Sequence, residues 1–171
     1  MNEQYIISAV CGGDIDQYAE LVERYQIGLT IYCERLVGDR SDAEDITQKS
    51  FIKAYEKLPT FSPEKGRFST WLYKIAYNES IDFLRKSKRT RLVQGAEEVE
   101  ATAPDTLQEE LMREVRAAVL ALVPPEHRRA VEAYYWEGKS YQAIADEMGV
   151  PINTVKSWLH RAKVQLKGAL S

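Results

Sequence analysis

The 171-residue chain is poor in the side chains that do covalent and metal chemistry. It has two cysteines, Cys11 and Cys33, and two histidines, His127 and His160. Neither histidine stands at a ligand-like spacing from a cysteine, aspartate or second histidine. There is no H-E-x-x-H and no Walker-type glycine-rich loop. No enzyme activity, metal or cofactor is therefore expected. No window approaches the roughly 18 apolar residues of a membrane-spanning helix. The opening "MNEQYIISAVCGGD" carries an early acid and no basic segment, unlike a secretory leader. The two thiols are accordingly read as reduced, in a bacterial cytoplasm. Strand signals are also scarce, with no Asn-Gly or Asp-Gly turn between alternating stretches.

What the chain does have is charge, 29% of its residues, unevenly placed around a net of −3. Residues 1–58 carry 6 bases and 11 acids, and residues 59–91 carry 8 bases and 3 acids. Residues 92–110 have 6 acids and no base. Residues 111–149 are near balance, with 5 bases and 6 acids, and residues 150–171 have 4 bases and no acid. Two basic segments thus alternate with acidic ones. A polyanion would be met locally, so whole-chain charge says little about it.

Helical periodicity runs through most of the chain. Tyr18, Val22, Tyr25, Leu29, Tyr32 and Leu36 form one apolar stripe, with Asp14 as candidate N-cap and Gly38 as stop. Ser41 and Glu44 read as a capping box for a helix that fades near Pro59. A third helix spans about Phe68 to Lys88, with Trp71, Leu72, Ile75 and Ala76 as its core face. Leu107, Leu111, Val115, Val119 and Leu122 make another stripe, ended by Pro124 and Pro125. Tyr5, Tyr134 and Tyr135 read as packing residues. Between these helices, Arg91 to Thr106 has linker composition: Gly95, Pro104, small residues and glutamates. The expected fold is all-α, two small helical domains (1–90 and 107–171) joined by a flexible acidic linker (91–106). About 15 extended residues reach on the order of 50 Å, so the domains can stand apart.

"SYQAIADEMGVPINTVKSWLHRAK", Ser140 to Lys163, has the pattern of a helix-turn-helix. Ser140 can cap the first helix, and Gly149 can take a left-handed turn without a Cβ penalty. Pro151 suits the first turn of the second helix. Ile144, Ala145, Met148, Val150, Val155 and Trp158 supply the packed face. The second helix then presents Thr154, Lys156, Ser157 and His160 toward a major groove. Arg161 and Lys163 fit phosphates.

Two longer stretches carry a family resemblance. "SDAEDITQKSFIKAYEKLPTF" followed by "GRFSTWLYKIAYNESIDFLRKSKR" resembles the second conserved region of bacterial RNA polymerase sigma factors. "VPPEHRRAVEAYYWEGKSYQAIADEMGVPINTVKSWLHRAKVQLKGAL" resembles their fourth region. The order, the short linker and the lack of a domain between match the extracytoplasmic-function group. The resemblance covers about Asp14 to Leu170.

The resemblance implies roles for particular residues. The helix carrying Asp42, Asp45, Gln48, Phe51 and Tyr55 would dock on a coiled coil of the polymerase β′ subunit, with the β subunit a further contact of the core enzyme. The loop Thr60 to Ser69, with Phe61, Lys65 and Arg67, would hold a flipped base of the −10 promoter element. Lys74, Tyr77, Asn78, Arg85 and Lys86 would follow that strand. Thr154, Lys156, Ser157, His160, Arg161 and Lys163 would meet −35 duplex. The acidic linker would thread the polymerase, and an anti-sigma factor would be a partner. The alternative reading of the residues is a conventional helix-turn-helix regulator with an N-terminal sensor or dimerisation domain.

Overall fold

The structure, a computed structural model, describes residues 2–92 and 105–169. Side chains are described over residues 2–87 and 109–168. Most of the expected linker lies outside the described residues. Among the described residues there is no strand, and no helix is long and apolar enough to cross a membrane.

Among the described residues eight α-helices follow one another: α1 (Glu3–Cys11), α2 (Tyr18–Val37), α3 (Arg40–Lys57), α4 (Phe68–Leu92), α5 (Asp105–Ala121), α6 (Pro125–Tyr135), α7 (Tyr141–Met148) and α8 (Ile152–Ala169). Short 3-10 turns cover Ile15–Gln17, Leu58–Thr60 and Pro63–Lys65. Two boundaries differ from expectation. Asp14 does not cap α2, because a separate helix α1 and a 3-10 turn precede it. Asn2 caps α1 by accepting from the Gln4 N–H. Helix α3 begins at Arg40, where the Asp39 carboxylate accepts the Asp42 N–H at 2.9 Å. Asp39 stands two positions before Ser41 and is an equally good cap, and its carboxylate is the one that starts the helix. Gly38 ends α2 in the left-handed conformation, as expected.

Helices α2, α3 and α4 form the N-terminal core, with α1 against α2. Leu29, Tyr32, Cys33, Ile46, Leu72, Tyr73 and Ala76 are buried there. Each fully buried aliphatic or aromatic side chain contributes about 1.5–3 kcal/mol. Burial pushes the Cys33 thiol pKa up, so its thiolate is disfavoured. Helices α6, α7 and α8 form the C-terminal core around Ala130, Val131, Ile144, Val155, Leu159 and Ala162, with α5 beside α6. Tyr5, expected to pack, is instead 60% exposed on α1.

The two halves touch. Helix α2 packs against both α5 and α6. Arg24 of α2 is 1% exposed, and its guanidinium lies 4.1 Å from the centre of the Tyr134 ring on α6. It also pairs with Glu3 at 3.8 Å and Glu20 at 3.5 Å. A buried cation needs such neighbours, because its desolvation costs several kcal/mol. Gly138, after α6, has φ of 68°, and a Cβ there would lie 2.7 Å from a Glu3 carboxylate oxygen. Only glycine accepts both the left-handed turn and that approach. Arg35–Glu114 at 3.3 Å and Lys163–Glu23 at 2.9 Å add ion pairs between the halves.

Candidate nucleic-acid and polymerase surfaces

The C-terminal device is built by local rules. The Ser140 hydroxyl accepts the Ala143 N–H at 3.2 Å and starts α7. Gly149 ends α7 with φ of 66°, and the Val150 N–H returns to the Ala145 carbonyl at 3.1 Å. Ala145 is buried at the crossing, small enough for close approach. On α8, Val155, Leu159, Ala162 and Leu166 recur at helical spacing and are all buried. The other face is left to solvent. Lys156, His160 and Arg161 are exposed, Thr154, Ser157 and Lys163 half-buried. Trp158 is half-buried, 5.5 Å from the buried His127 ring, so it serves the core as expected.

A charge network escaped sequence reasoning. Arg129 on α6 donates through Nε to Glu147 at the end of α7, at 2.9 Å, and also pairs with Glu137. Lys139 Nζ pairs with Glu137 at 2.8 Å and also with Glu147. The hydrogen bond from Arg129 is the main cause that pulls the Glu137 carboxyl down to about 2. Glu147 is lowered as well, chiefly by Lys139. The network ties α6 to α7 across the turn. Arg129–Glu137 and Lys139–Glu147 are 8 residues apart and Arg129–Glu147 18, beyond the range of helix pair rules.

In the N-terminal half the loop after α3 carries Lys65 and Arg67, both exposed. Phe61 is half-buried beside them, 5.6 Å from the Phe68 ring and 5.3 Å from Trp71. An aromatic cluster with a free edge beside two bases can stack a nucleobase and hold its phosphate. A cleft of about 520 Å³ opens in front of Phe61, Lys65 and Arg67. On α4, Lys74, Asn78, Arg85 and Lys86 are exposed. Tyr77 is not with them. It is 6% exposed and faces the core, because α4 is covered by α2 and α3 on that side.

On α3, Asp45, Gln48 and Tyr55 are exposed and Asp42 is half-buried. Phe51, expected as an exposed anchor, is 6% exposed, and its carbonyl accepts the Tyr18 hydroxyl at 2.6 Å. Its neighbour Ile52 is the exposed apolar side chain, at 59%. Gln48, Ile52 and Tyr55 line a groove of about 1220 Å³ with Ile15, Tyr18 and Val22 of the preceding segment. Ile15 and Ile52 were not singled out from sequence. An apolar residue adjacent to a buried one on an otherwise polar helix is the signal that points to them.

Residues 21–90 match the family model described as Sigma-70 region 2, and residues 113–166 that of Sigma-70, region 4. The ECF RNA polymerase sigma factor SigW of Bacillus subtilis (strain 168) is 33% identical, over 96% of this chain and 94% of that protein. The ECF RNA polymerase sigma-E factor of Haemophilus influenzae is 32% identical, over 99% of this chain and 96% of that one. Among solved structures, the sigma factor RpoE of Bartonella quintana, in a co-crystal with the anti-sigma factor NepR, is 26% identical with a TM-score of 0.40. That likeness covers 92% of this chain and 96% of RpoE.

Proposed function

We infer the working of this chain from the family to which it belongs, the extracytoplasmic-function sigma factors of the sigma-70 family. As a sigma factor it binds core RNA polymerase and directs promoter-specific initiation, reading −35 DNA as duplex and −10 DNA as a melted strand. The observation that carries this is the presence of both sigma regions, in order, on one chain.

The residue roles are our proposal. The C-terminal half (107–171) reads the −35 element. Thr154, Lys156, Ser157 and His160 face base edges, and Arg161 and Lys163 hold phosphates. The N-terminal half (1–90) takes the −10 strand, with Phe61 stacking an unpaired base and Lys65 and Arg67 neutralising its phosphates. Lys74, Asn78, Arg85 and Lys86 continue that track along α4, where their exposure supports the role. Tyr77 acts from beneath as a packing residue. Asp42, Asp45, Gln48 and Tyr55, with Ile52 in place of Phe51 as the apolar anchor, dock on the β′ coiled coil, and the C-terminal half on the β subunit. Residues 91–106 link the two domains through the enzyme. The protein works in the cytoplasm, and an anti-sigma factor is its regulatory partner.

Run-off transcription tests the reading. Purified core polymerase should gain promoter-specific initiation on adding this chain. A chain that bound a DNA operator tightly as a dimer, and core polymerase not at all, would overturn it.

A further inference from the structure

We propose that Lys53 of α3 is a positioning residue for capture of the −10 strand, where it masks the Glu79 carboxylate at the edge of the strand track on α4. The inference rests on the −10 assignment above. Lys74, Asn78, Asp82 and Lys86 recur every fourth residue along α4 and are all exposed, so they form one ridge for the strand. From Phe68 to Leu92 the helix carries 6 bases and only 2 acids, Glu79 and Asp82. Each acid stands on or beside the ridge, where it opposes the phosphates that the bases attract.

The two acids are answered differently. Asp82 pairs along its own helix with Arg85, at 3.7 Å. Glu79 is answered from another helix: the Lys53 ammonium reaches across from α3 and pairs with its carboxylate. The pairing holds that carboxylate toward α3.

The exposure of the two partners decides what the pair does. The Glu79 side chain is 13% exposed, so water screens its charge poorly, whereas that of Lys53 is 45% exposed and well solvated. Left alone, Lys53 is one more screened surface cation. Left alone, Glu79 is a half-buried anion beside Asn78. Residues three apart on a helix have Cβ atoms about 5–6 Å apart, which sets Glu79 that close to Asp82 on the ridge. A phosphate held there lies within about 10 Å of the carboxylate, the Debye length at 0.1 M salt. At that range a bare unit charge changes affinity by roughly threefold to tenfold. Lys53 thus serves the strand without touching it.

The test uses holoenzyme assembled from purified core RNA polymerase and the full chain. The DNA is a fork with a duplex −35 element and a single-stranded −10 element. Lys53→Met, Glu79→Gln and the double variant are compared with the wild type. Lys53→Met should weaken fork binding roughly threefold to tenfold at about 0.1 M salt, and the loss should shrink as salt rises. Glu79→Gln should bind no more weakly than the wild type. The double variant should match Glu79→Gln, because Lys53 then has nothing to mask. A pair that only fastened α3 to α4 would make Glu79→Gln weaken binding at every salt concentration, and that result overturns the proposal. Equal losses on removing Lys53 with and without the Glu79 charge also overturn it, since Lys53 would then meet the strand itself. So does a Lys53→Met chain that binds core less tightly but, once assembled, holds the fork as the wild type does. Four equal affinities in a holoenzyme that binds the fork overturn the proposal alone. A wild-type holoenzyme with no affinity for the single-stranded element overturns the −10 assignment, and the proposal with it.

Discussion

Replacing Gly28 by alanine probes the packing of α2 on α4. Gly28 lies within α2, and a Cβ there would stand 2.6 Å from the Tyr73 hydroxyl oxygen. Tyr73 has little freedom to retreat. It is buried, and its ring meets Tyr32 edge-on at 5.0 Å and 80°. Two effects oppose each other. Alanine is favoured over glycine in a helix by up to about 1 kcal/mol. Forcing a methyl group into a packed site costs about 1–3 kcal/mol. The second should win, leaving Gly28→Ala about 1 kcal/mol less stable, which is roughly 2–4 °C in Tm for a chain of this size. Tyr73→Phe removes the offending oxygen. In that background the same substitution should stabilise, by up to about 1 kcal/mol. Urea denaturation of the four chains of the cycle measures the coupling, expected at about 1–3 kcal/mol. Additivity within about 0.5 kcal/mol would refute the close approach, because alanine would then have the same effect with and without the hydroxyl.

Three further outcomes are expected. Lys156→Ala and Arg161→Ala should both weaken −35 duplex binding. The first should also relax sequence preference by about 1–3 kcal/mol at one position, and the second reduce the salt slope by about 1, so equal sequence-independent losses in anisotropy titrations would show that neither reads bases. Asp45→Ala with Gln48→Ala, both exposed, should lower core polymerase affinity by about 1–2 kcal/mol while circular dichroism stays unchanged; unaltered affinity would place docking elsewhere. Glu137 has a folded pKa of about 2, below the ordinary carboxylate value of 4.5, so its contribution is full above the ordinary value and is lost as pH falls through 4.5 toward 2. Glu137→Gln should therefore flatten the fall in stability below pH 4.5, and an identical acid slope in thermal melts would show that the Arg129 network does not hold the carboxylate.

The helix-turn-helix was legible because each of its signals is local. Ser140 caps the helix it precedes, and Gly149 takes the turn its missing Cβ permits. Of the expected packed face, Ile144, Ala145 and Val155 are buried and Met148, Val150 and Trp158 pack against them. Faces flanked on two sides were harder. Phe51 and Tyr77 each stand beside polar residues, and either face of α3 or α4 could be solvent on periodicity alone. Both turned inward because α2, α3 and α4 cover one another, which no window of sequence records. The cap at Asp39 was missed for a different reason: two good capping residues lie two positions apart, and local signals do not rank them.

The sequence by itself determined an all-helical chain, the two sigma regions and a C-terminal helix in an acid-free segment. These follow from spacing, capping and charge, which act over a few residues. Only the tertiary structure decided that the halves meet, and how. Arg24 reads as one more surface cation in a helix with acids around it. Its burial under Tyr134, 110 positions later in the chain, depends on how the apolar stripe of α2 is shared between α3, α4 and the helices beyond the linker. Periodicity says which side of a helix avoids water. It does not say which neighbour covers that side, and here the neighbour is the other half of the protein.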